Sequence, residues 1–171
     1  PSEGLLLRGA HGPIELLEEA SVVDQELIRK CLDIIVSGQR MDLERFSDKD
    51  GSGIRSLSRY EEMDDYAYRV AGSVGEFWTE ICLEHAFEAS AEMKEELMSS
   101  GVRFGKALQL INILRDIPED LEIGRCYIPT DDLEKIGLSP DNLLHSGSID
   151  IFRPLLDQDI ARAEGHLDEA V

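Results

Sequence analysis

Basic residues are scarce in this chain. Its 17 lysines and arginines stand against 36 aspartates and glutamates, so the formal charge is −19. Such an excess of negative charge repels nucleic acid and the anionic face of a membrane. The sequence also has no apolar run approaching the ~20 residues that a membrane span requires, and no basic-then-apolar signal pattern near its first residue. We therefore expect neither a nucleic-acid-binding protein nor a membrane-spanning one.

Cysteines are also few. Cys31, Cys82 and Cys126 are odd in number, widely spaced and without any CxxC or Cys/His grouping, which argues against a disulfide framework and against a zinc site. Reduced thiols in a cytoplasm fit this pattern best, so we expect a cytoplasmic protein. With 171 residues, 42% of them hydrophobic, the chain is long enough for one folded domain, which we assign to residues 1–171.

Strand-like alternation and hairpin turns are missing, whereas four segments have helical periodicity, so we predict an all-α fold. The first helix is predicted from Asp24, as N-cap, to about Phe46. The second runs from about Arg59 to His85, the third from near Gly101 to a point before Gly124, and the fourth from about Asp150 to the C-terminus.

The second helix has the most regular apolar stripe and is expected to be central to the core. The stripe consists of Met63, Tyr66, Val70, Val74, Phe77 and Ile81. Gly72 and Gly75 share one face of this helix, and each costs ~1 kcal/mol relative to alanine in a helix interior. A helix crossing explains these glycines, as would close approach of a ligand. Tyr66 needs a hydrogen-bond partner if its hydroxyl is buried.

The third helix carries a polar stripe, because steps of three, four and four residues keep side chains on one side of a helix. The stripe consists of Gln109, Asn112, Asp116 and Asp120. Asp116 and Asp120 can each offer a carboxylate oxygen to Mg²⁺, which takes six oxygen ligands at about 2.0–2.1 Å and usually shares them with water and substrate phosphates. Asn112 could add an amide oxygen and Gln109 a further polar contact.

The other interpretation of this segment is an ordinary amphipathic helix, which the spacing alone slightly favours. The polar stripe would then face solvent, opposite the buried residues Leu110, Ile113, Ile117 and Leu121. Pro118 argues against that interpretation, since proline in a helix interior typically costs ~3 kcal/mol. Arg115 and Arg125 bracket the acidic turns and could hold phosphate oxygens, although such arginines are more often surface partners of carboxylates.

Together the second and third segments resemble the squalene/phytoene synthase family, the head-to-head branch of the isoprenoid synthases. The first matching signature is Tyr66, Val70, Ala71, Gly72, Val74 and Gly75. The second is Gly105, Gln109, Asn112, Arg115, Asp116, Asp120, Arg125, Tyr127 and Pro129. The QRMDLERF stretch at 39–46 also resembles the helix that precedes the first signature, while Phe104 and Ser73 are small departures. The resemblance implies a helical bundle of the isoprenoid synthase fold around a central cavity.

The resemblance also implies a role for each matching residue. The expected Mg²⁺ ligands are Asn112, Asp116 and Asp120, and the expected catalytic residues are Tyr66, Asp116 and Asp120. The expected substrate-binding residues are Gln109, Arg115, Arg125, Val70 and Gly72. The implied reaction joins two farnesyl or geranylgeranyl diphosphates head to head, with Mg²⁺ as Lewis acid and template, towards squalene, dehydrosqualene or phytoene. NADPH would be needed if the product is squalene, and a peripheral membrane contact would serve product release.

One departure is larger. The family carries a second aspartate-rich motif on an upstream helix, and nothing in residues 1–59 matches it, because Asp42, Asp48 and Asp50 lack the spacing and the apolar context. We therefore expect the middle of a longer synthase, without the upstream motif and the C-terminal helices, inactive alone and prone to self-association through exposed helix faces. The start at Pro1 agrees with this. The alternative is a non-catalytic helical interaction protein derived from the same family.

Overall fold

Helices make up most of the computed structural model, which describes Gly4, residues 9–47 and residues 53–171. They are α1 His11–Glu19, α2 Val22–Arg45, α3 Tyr60–Ala67, α4 Ser73–His85, α5 Ala91–Arg115, α6 Ile117–Glu122, α7 Thr130–Lys135 and α8 Ile149–Asp168. A π-helical turn, Tyr68–Gly72, joins α3 to α4, and two 3₁₀ turns, Pro140–Leu144 and Ser146–Ser148, precede α8. The predicted all-α fold is confirmed. Asp48 and Asp50 lie outside the described residues.

The centre of the molecule is α5, which packs against α4, the π-helical turn and α8. The π-helical turn and α4 approach α5 so closely that a Cβ on Gly75 would overlap the carbonyl oxygen of Gly101, and one on Gly105 would overlap that of Ala71. Because these pairs run in opposite order along the two helices, the helices are antiparallel where they cross. The predicted helix crossing therefore accounts for Gly75 and explains Gly105 as well.

Two of the four predicted helix starts differ from the structure, whereas those near Arg59 and Asp150 agree with it. The N-cap of α2 is Ser21, whose hydroxyl accepts a hydrogen bond from the backbone N–H of Asp24 at 3.1 Å, so Asp24 lies in the first turn and does not cap the helix. The N-cap of α5 is Ser90, which accepts from the N–H of Met93 at 3.3 Å, well before Gly101. Serine is among the best N-cap residues because its oxygen satisfies a free N–H of the first turn.

The predicted third helix is broken at Asp116. This residue ends α5 and caps α6 with φ −94° and ψ 8°, so Pro118 falls in the first turn of a new helix. Proline is tolerated there because the N–H it lacks would have no partner within the helix. The penalty expected for Pro118 is thus not incurred, and that argument against an ordinary amphipathic helix was wrong.

A short parallel strand pair, which the sequence did not predict, joins β1 Arg55–Ser56 to β2 Arg125–Cys126. The N–H of Arg55 donates to the carbonyl of Gly124 at 2.9 Å, and that of Leu57 to the carbonyl of Cys126 at 3.1 Å. Gly124 turns the chain into β2 with φ +78°, a conformation that suits glycine. The pair fixes the segment after α6 beside the segment that leads into α3.

Two clusters of buried side chains form the core. One contains Leu57, Met63, Leu110, Ile113, Tyr127 and Ala163, and the other contains Leu121, Cys126, Ile128, Leu133, Leu138 and Leu155. The apolar stripe of the second predicted helix is not the centre of either cluster. Met63 is fully buried, but Val74 is 41% exposed. The three cysteines are free, as expected, and Cys31 and Cys126 are buried.

Candidate active site

Most of the predicted site residues line one cavity of about 240 Å³, called here the polar cavity. Its lining consists of Tyr66, Gln109, Asn112, Ile113, Asp116, Asp120, Arg125 and Tyr127. The polar stripe of α5 and α6 forms one side, and β2 brings Arg125 and Tyr127 to the other. Ile113 and its neighbour Leu110 are buried, as the amphipathic interpretation expected. The polar stripe nevertheless lines a partly open, concave cavity and is half-buried there.

Asp120 is a half-buried carboxylate in the lining of this cavity. Among the described residues none donates a hydrogen bond to its carboxylate. Burial raises the pKa of the Asp120 carboxyl, and the neighbouring negative charge of Asp116 raises it further, while Arg125 lowers it. A partly desolvated carboxylate beside another acid is stabilised by a cation. The side chains of Asn112 and Gln109 add amide oxygens within the same lining.

Asp116 is in the opposite state, because Arg115 already binds it. The Arg115 guanidinium donates to both carboxylate oxygens, with Nε at 2.6 Å and Nη2 at 2.7 Å, and this pairing lowers the pKa of Asp116. The Arg115 side chain is 65% exposed and is absent from the lining of the polar cavity. The structure therefore brings Asp116 to the predicted site but leaves Arg115 outside it.

Tyr66 belongs to a hydrogen-bonded group that sequence reasoning missed. Its ring stacks on Tyr127 with centroids 5.0 Å apart and an interplanar angle of 24°. The Tyr127 hydroxyl donates to Asp42 Oδ1 at 2.7 Å, and Arg125 Nη1 donates to Asp42 Oδ2 at 2.9 Å. The sequence offered one signal, the aspartate within the QRMDLERF stretch, but Asp42 lacks the spacing and the apolar context of the family's upstream aspartate motif.

An open apolar trough of about 440 Å³ continues from the polar cavity and shares Gln109 and Asn112 with it. Its remaining lining is Val70, Ala71, Val74, Gly75, Trp78, Phe104, Gly105 and Leu108. Trp78 is 66% exposed and Phe104 50%. Phe104 lies ~12 Å from Asn112 along α5, at ~1.5 Å per residue, so the trough extends away from the polar end.

The two predicted substrate-binding residues of the VAG run differ in position. Val70 lines the apolar trough. Gly72 is buried against α5, where a Cβ would lie 3.1 Å from the Tyr68 ring, 3.3 Å from the Lys106 side chain and 3.4 Å from the carbonyl oxygen of Val102. The structure does not bring Gly72 to either the trough or the polar cavity.

The residues present fit a shared metal site better than a closed one. Within residues 9–47 and 53–171, no group of three His, Cys, Asp or Glu side chains is arranged to hold a metal ion. Two aspartates with nearby amide oxygens are still a suitable donor set for Mg²⁺, which normally keeps water and substrate phosphates among its ligands. Asn112, Asp116 and Asp120 are the residues that could hold it.

Comparison with known proteins gives the family. The sequence model described as squalene/phytoene synthase matches residues 8–171. The chain belongs to the squalene/phytoene synthase family. It is 36% identical over 140 residues to 15-cis-phytoene synthase of Synechocystis sp., covering 80% of this chain and 39% of that protein. It is 32% identical over 173 residues to phytoene synthase 1, chloroplastic, of Arabidopsis thaliana, covering 96% of this chain and 37% of that protein. The chain thus spans about two fifths of the length of these family members.

Solved structures show the same fold. A squalene synthase, HpnC, from Alicyclobacillus acidocaldarius superimposes with a TM-score of 0.62 at 24% identity, covering 82% of this chain and 47% of that one. A dehydrosqualene synthase in complex with ligand gives a TM-score of 0.64 at 24% identity, covering 82% and 44%. The predicted isoprenoid synthase fold is confirmed. No helix of the described part of the chain is both long and apolar enough to cross a membrane.

Proposed function

We propose that this chain supplies the metal- and diphosphate-binding part of a head-to-head prenyltransferase that condenses two prenyl diphosphates. The observation that carries the proposal is the unpartnered Asp120 carboxylate in a polar cavity that opens directly into an apolar trough. A prenyl diphosphate has the same two-part chemistry, with a charged head and a long apolar tail. Family membership supports the reaction class.

Each end of the site would act on one part of the substrate. Asp120, Asp116 and Asn112 would hold Mg²⁺, which supplies Lewis-acid stabilisation of a departing diphosphate when bound. Arg125, held beside the cavity by Asp42, would donate to diphosphate oxygens. The trough would bury the prenyl tail and exclude water, and Tyr66 would accept or return a proton near the carbocation.

The Arg115–Asp116 ion pair would have to open for Asp116 to bind a metal. This cost is small, because solvent screens an exposed ion pair and weakens its contribution to stability. Arg115 would then be released next to the cavity, where a diphosphate could take the place of Asp116 as its partner. The predicted role of Arg115 in substrate binding is therefore proposed for the ligand-bound state.

The product supported best is phytoene. Both family members described above that are more than 30% identical to this chain are named as phytoene synthases, whereas the squalene and dehydrosqualene synthases are similar to it at 24% identity. Only a reduced product would require NADPH, so we do not propose NADPH as a cofactor.

Calorimetric titration with a non-hydrolysable prenyl diphosphate analogue, with and without Mg²⁺, tests the proposal. We expect Mg²⁺ to tighten binding to the full-length protein, and we expect Asp120→Asn to remove that enhancement and Asp116→Asn to weaken it. Asp131→Asn, an exposed change on α7, should bind as the wild type does. If Asp116→Asn and Asp120→Asn also bind like the wild type, the metal assignment is wrong. No binding at all would favour the non-catalytic interaction protein.

A further inference from the structure

We infer that Asp42 is a positioning residue that orients the Tyr127 hydroxyl so that Tyr66 presents a lone pair to the polar cavity and acts there as a proton acceptor. The hydrogen bonds among Asp42, Tyr127 and Tyr66 do not depend on which reaction the protein catalyses. The reaction in which Tyr66 would take part rests on the proposed function.

The first step is the direction of the bonds to Asp42. This residue is only 7% exposed, and both of its carboxylate oxygens are occupied, Oδ1 by the Tyr127 hydroxyl at 2.7 Å and Oδ2 by Arg125 at 2.9 Å. An ionised carboxylate is an acceptor only, so the single Tyr127 hydroxyl proton must point at Asp42. Both contacts are charge-assisted and therefore hold this orientation firmly.

The second step follows at Tyr66. With its proton committed to Asp42, the Tyr127 oxygen can only accept from Tyr66, whose hydroxyl lies 3.5 Å away. That separation is long for an O–H···O bond, as catalytic hydrogen bonds in sites without ligand often are. The Tyr66 proton thus points towards Tyr127. Tyr66 also lines the polar cavity, so a lone pair of its oxygen is left to accept from a ligand there.

The third step concerns the charge on the two phenols. Burial is the largest cause of the raised pKa of Tyr66, and the charges of Asp42 and Asp120 raise it further. Burial likewise raises the pKa of Tyr127, with Tyr66 and Asp42 adding to it. Both side chains are therefore neutral phenols near neutral pH, and neutral Tyr66 is a poor base without a group that takes its proton.

The hydrogen-bonded chain Tyr66–Tyr127–Asp42, called here the relay, supplies the group that takes the Tyr66 proton. The C–H bond next to the carbocation breaks, and its electron pair becomes the new C=C bond. The released proton bonds to the Tyr66 oxygen while the original Tyr66 proton passes to Tyr127 and the Tyr127 proton passes to Asp42 Oδ1. No phenolate and no protonated phenol remains, and the added proton ends on the Asp42 carboxyl beside Arg125.

Steady-state kinetics of two variants of the full-length protein separate this role from a structural one. Tyr127→Phe keeps the ring and the Asp42–Arg125 pair, so kcat is expected to fall by roughly 10²-fold or more, the contribution of a positioned proton acceptor, with KM unchanged. Asp42→Asn should lower kcat and also raise KM, since Arg125 loses its anionic partner. Asp33→Asn, the same change at an exposed position of α2, should leave both constants unchanged. Unchanged kcat in Tyr127→Phe would overturn the relay.

A measurement without turnover distinguishes failure of the relay from failure of the proposed function. The chain has four tyrosines, so tyrosine-to-phenylalanine variants can assign their hydroxyl protons by NMR. We expect a downfield Tyr127 hydroxyl signal that is lost in Tyr127→Phe and moves upfield in Asp42→Asn, because a neutral amide is a weaker acceptor than a carboxylate. A missing signal in the wild type, or one unchanged by Asp42→Asn, overturns the relay. The expected signals in an enzyme that forms no product overturn the proposed reaction instead.

Discussion

Asp116 and Asp120 lie one helical turn apart, yet their carboxyl pKa values shift in opposite directions. Arg115 lowers the pKa of Asp116, and burial raises that of Asp120. Pairs of acids whose environments separate their pKa values commonly divide functional roles. Here Asp120 is the carboxylate that lacks a partner, whereas Asp116 exchanges an existing one. A cation would therefore gain most of its affinity at Asp120.

The raised pKa of Asp120 predicts a pH-dependent cost to stability. The folded state binds the Asp120 proton more tightly than the unfolded state, so the ionised carboxyl destabilises the fold at neutral pH. That cost fades as pH falls through the raised pKa and is gone below the ordinary value of 3.8. Without Mg²⁺, Asp120→Asn should raise Tm by roughly 2 °C at pH 7.

Thermal denaturation at pH 7 and at pH 4 checks this prediction. The gain in Tm from Asp120→Asn should shrink at the lower pH. Asp116→Asn serves as the matched control and should not raise Tm at pH 7, because Asp116 loses a favourable partner when its charge is removed. A lower Tm for Asp120→Asn at pH 7 would show that the Asp120 carboxylate is satisfied in the fold.

At the scale of elements, the glycine contact between α4 and α5 admits no side chain. Gly75→Ala and Gly105→Ala should each cost at least about 1–3 kcal/mol, the range for forced overpacking, since the new Cβ would meet backbone carbonyls that cannot rotate away. Gly165→Ala in α8 is the matched control. Nothing lies within 4 Å of its Cβ position, so the better helix propensity of alanine should stabilise it by up to ~1 kcal/mol.

Chemical denaturation of the three variants measures these differences. A Gly75→Ala protein as stable as the wild type would mean that α4 and α5 are farther apart than the structure places them. Because the trough lies along the same crossing, the two destabilised variants should also lose ligand affinity, while Gly165→Ala should keep it.

The elements that could be predicted from the sequence are those with a local signal. The segment around Tyr66 has a long periodic stripe, and the polar stripe of α5 and α6 has helical spacing. The start of α5 was missed because residues 91–96 are exposed and offer no apolar side to detect. The strand pair was missed because two residues of strand leave no alternation to read.

In the candidate site, contacts between residues far apart in the sequence likewise could not be predicted. Gln109, Asn112 and Asp120 could be placed together because they share one stretch of chain. Asp42 could not, because its partners Arg125 and Tyr127 lie 83 and 85 residues further along. The fold brings Arg125 and Tyr127 beside α2, with the β1–β2 pair fixing their segment of the chain. The break at Asp116 was missed for a different reason, since Pro118 is compatible with both an interrupted helix and a new helix start.

At the scale of the whole molecule, the net charge of −19 repels a diphosphate as well as nucleic acid. Attraction for an anionic substrate must therefore come from a few local groups. Arg125 lines the polar cavity and is partly neutralised by Asp42. Arg115 is bound to Asp116, so a cation at Asp120 would add positive charge that these arginines do not supply, which is a physical reason to expect metal-dependent binding.

The open trough predicts self-association of this chain. Val74, Trp78, Phe104 and Leu108 are between 41% and 66% exposed, and contiguous apolar surface of this kind favours burial against another molecule. Sedimentation velocity should show concentration-dependent oligomers that Trp78→Lys weakens. Leu144→Lys, at an equally exposed apolar residue outside the trough, should leave them unchanged. A monomer at all concentrations would contradict the prediction.

The candidate site depends on the number of residues in the π-helical turn at Tyr68–Gly72. A helical residue advances the chain by about 100° around the axis, so deleting one residue from this turn would rotate everything before it relative to α4. Such a deletion would displace Ala71 and Gly72 from their contact with Gly105, and it would move Tyr66 away from Tyr127 and the polar cavity. Substitutions in the π-helical turn should therefore be tolerated far better than single-residue insertions or deletions. Homologous chains should keep the number of residues in this turn even where the residues themselves differ.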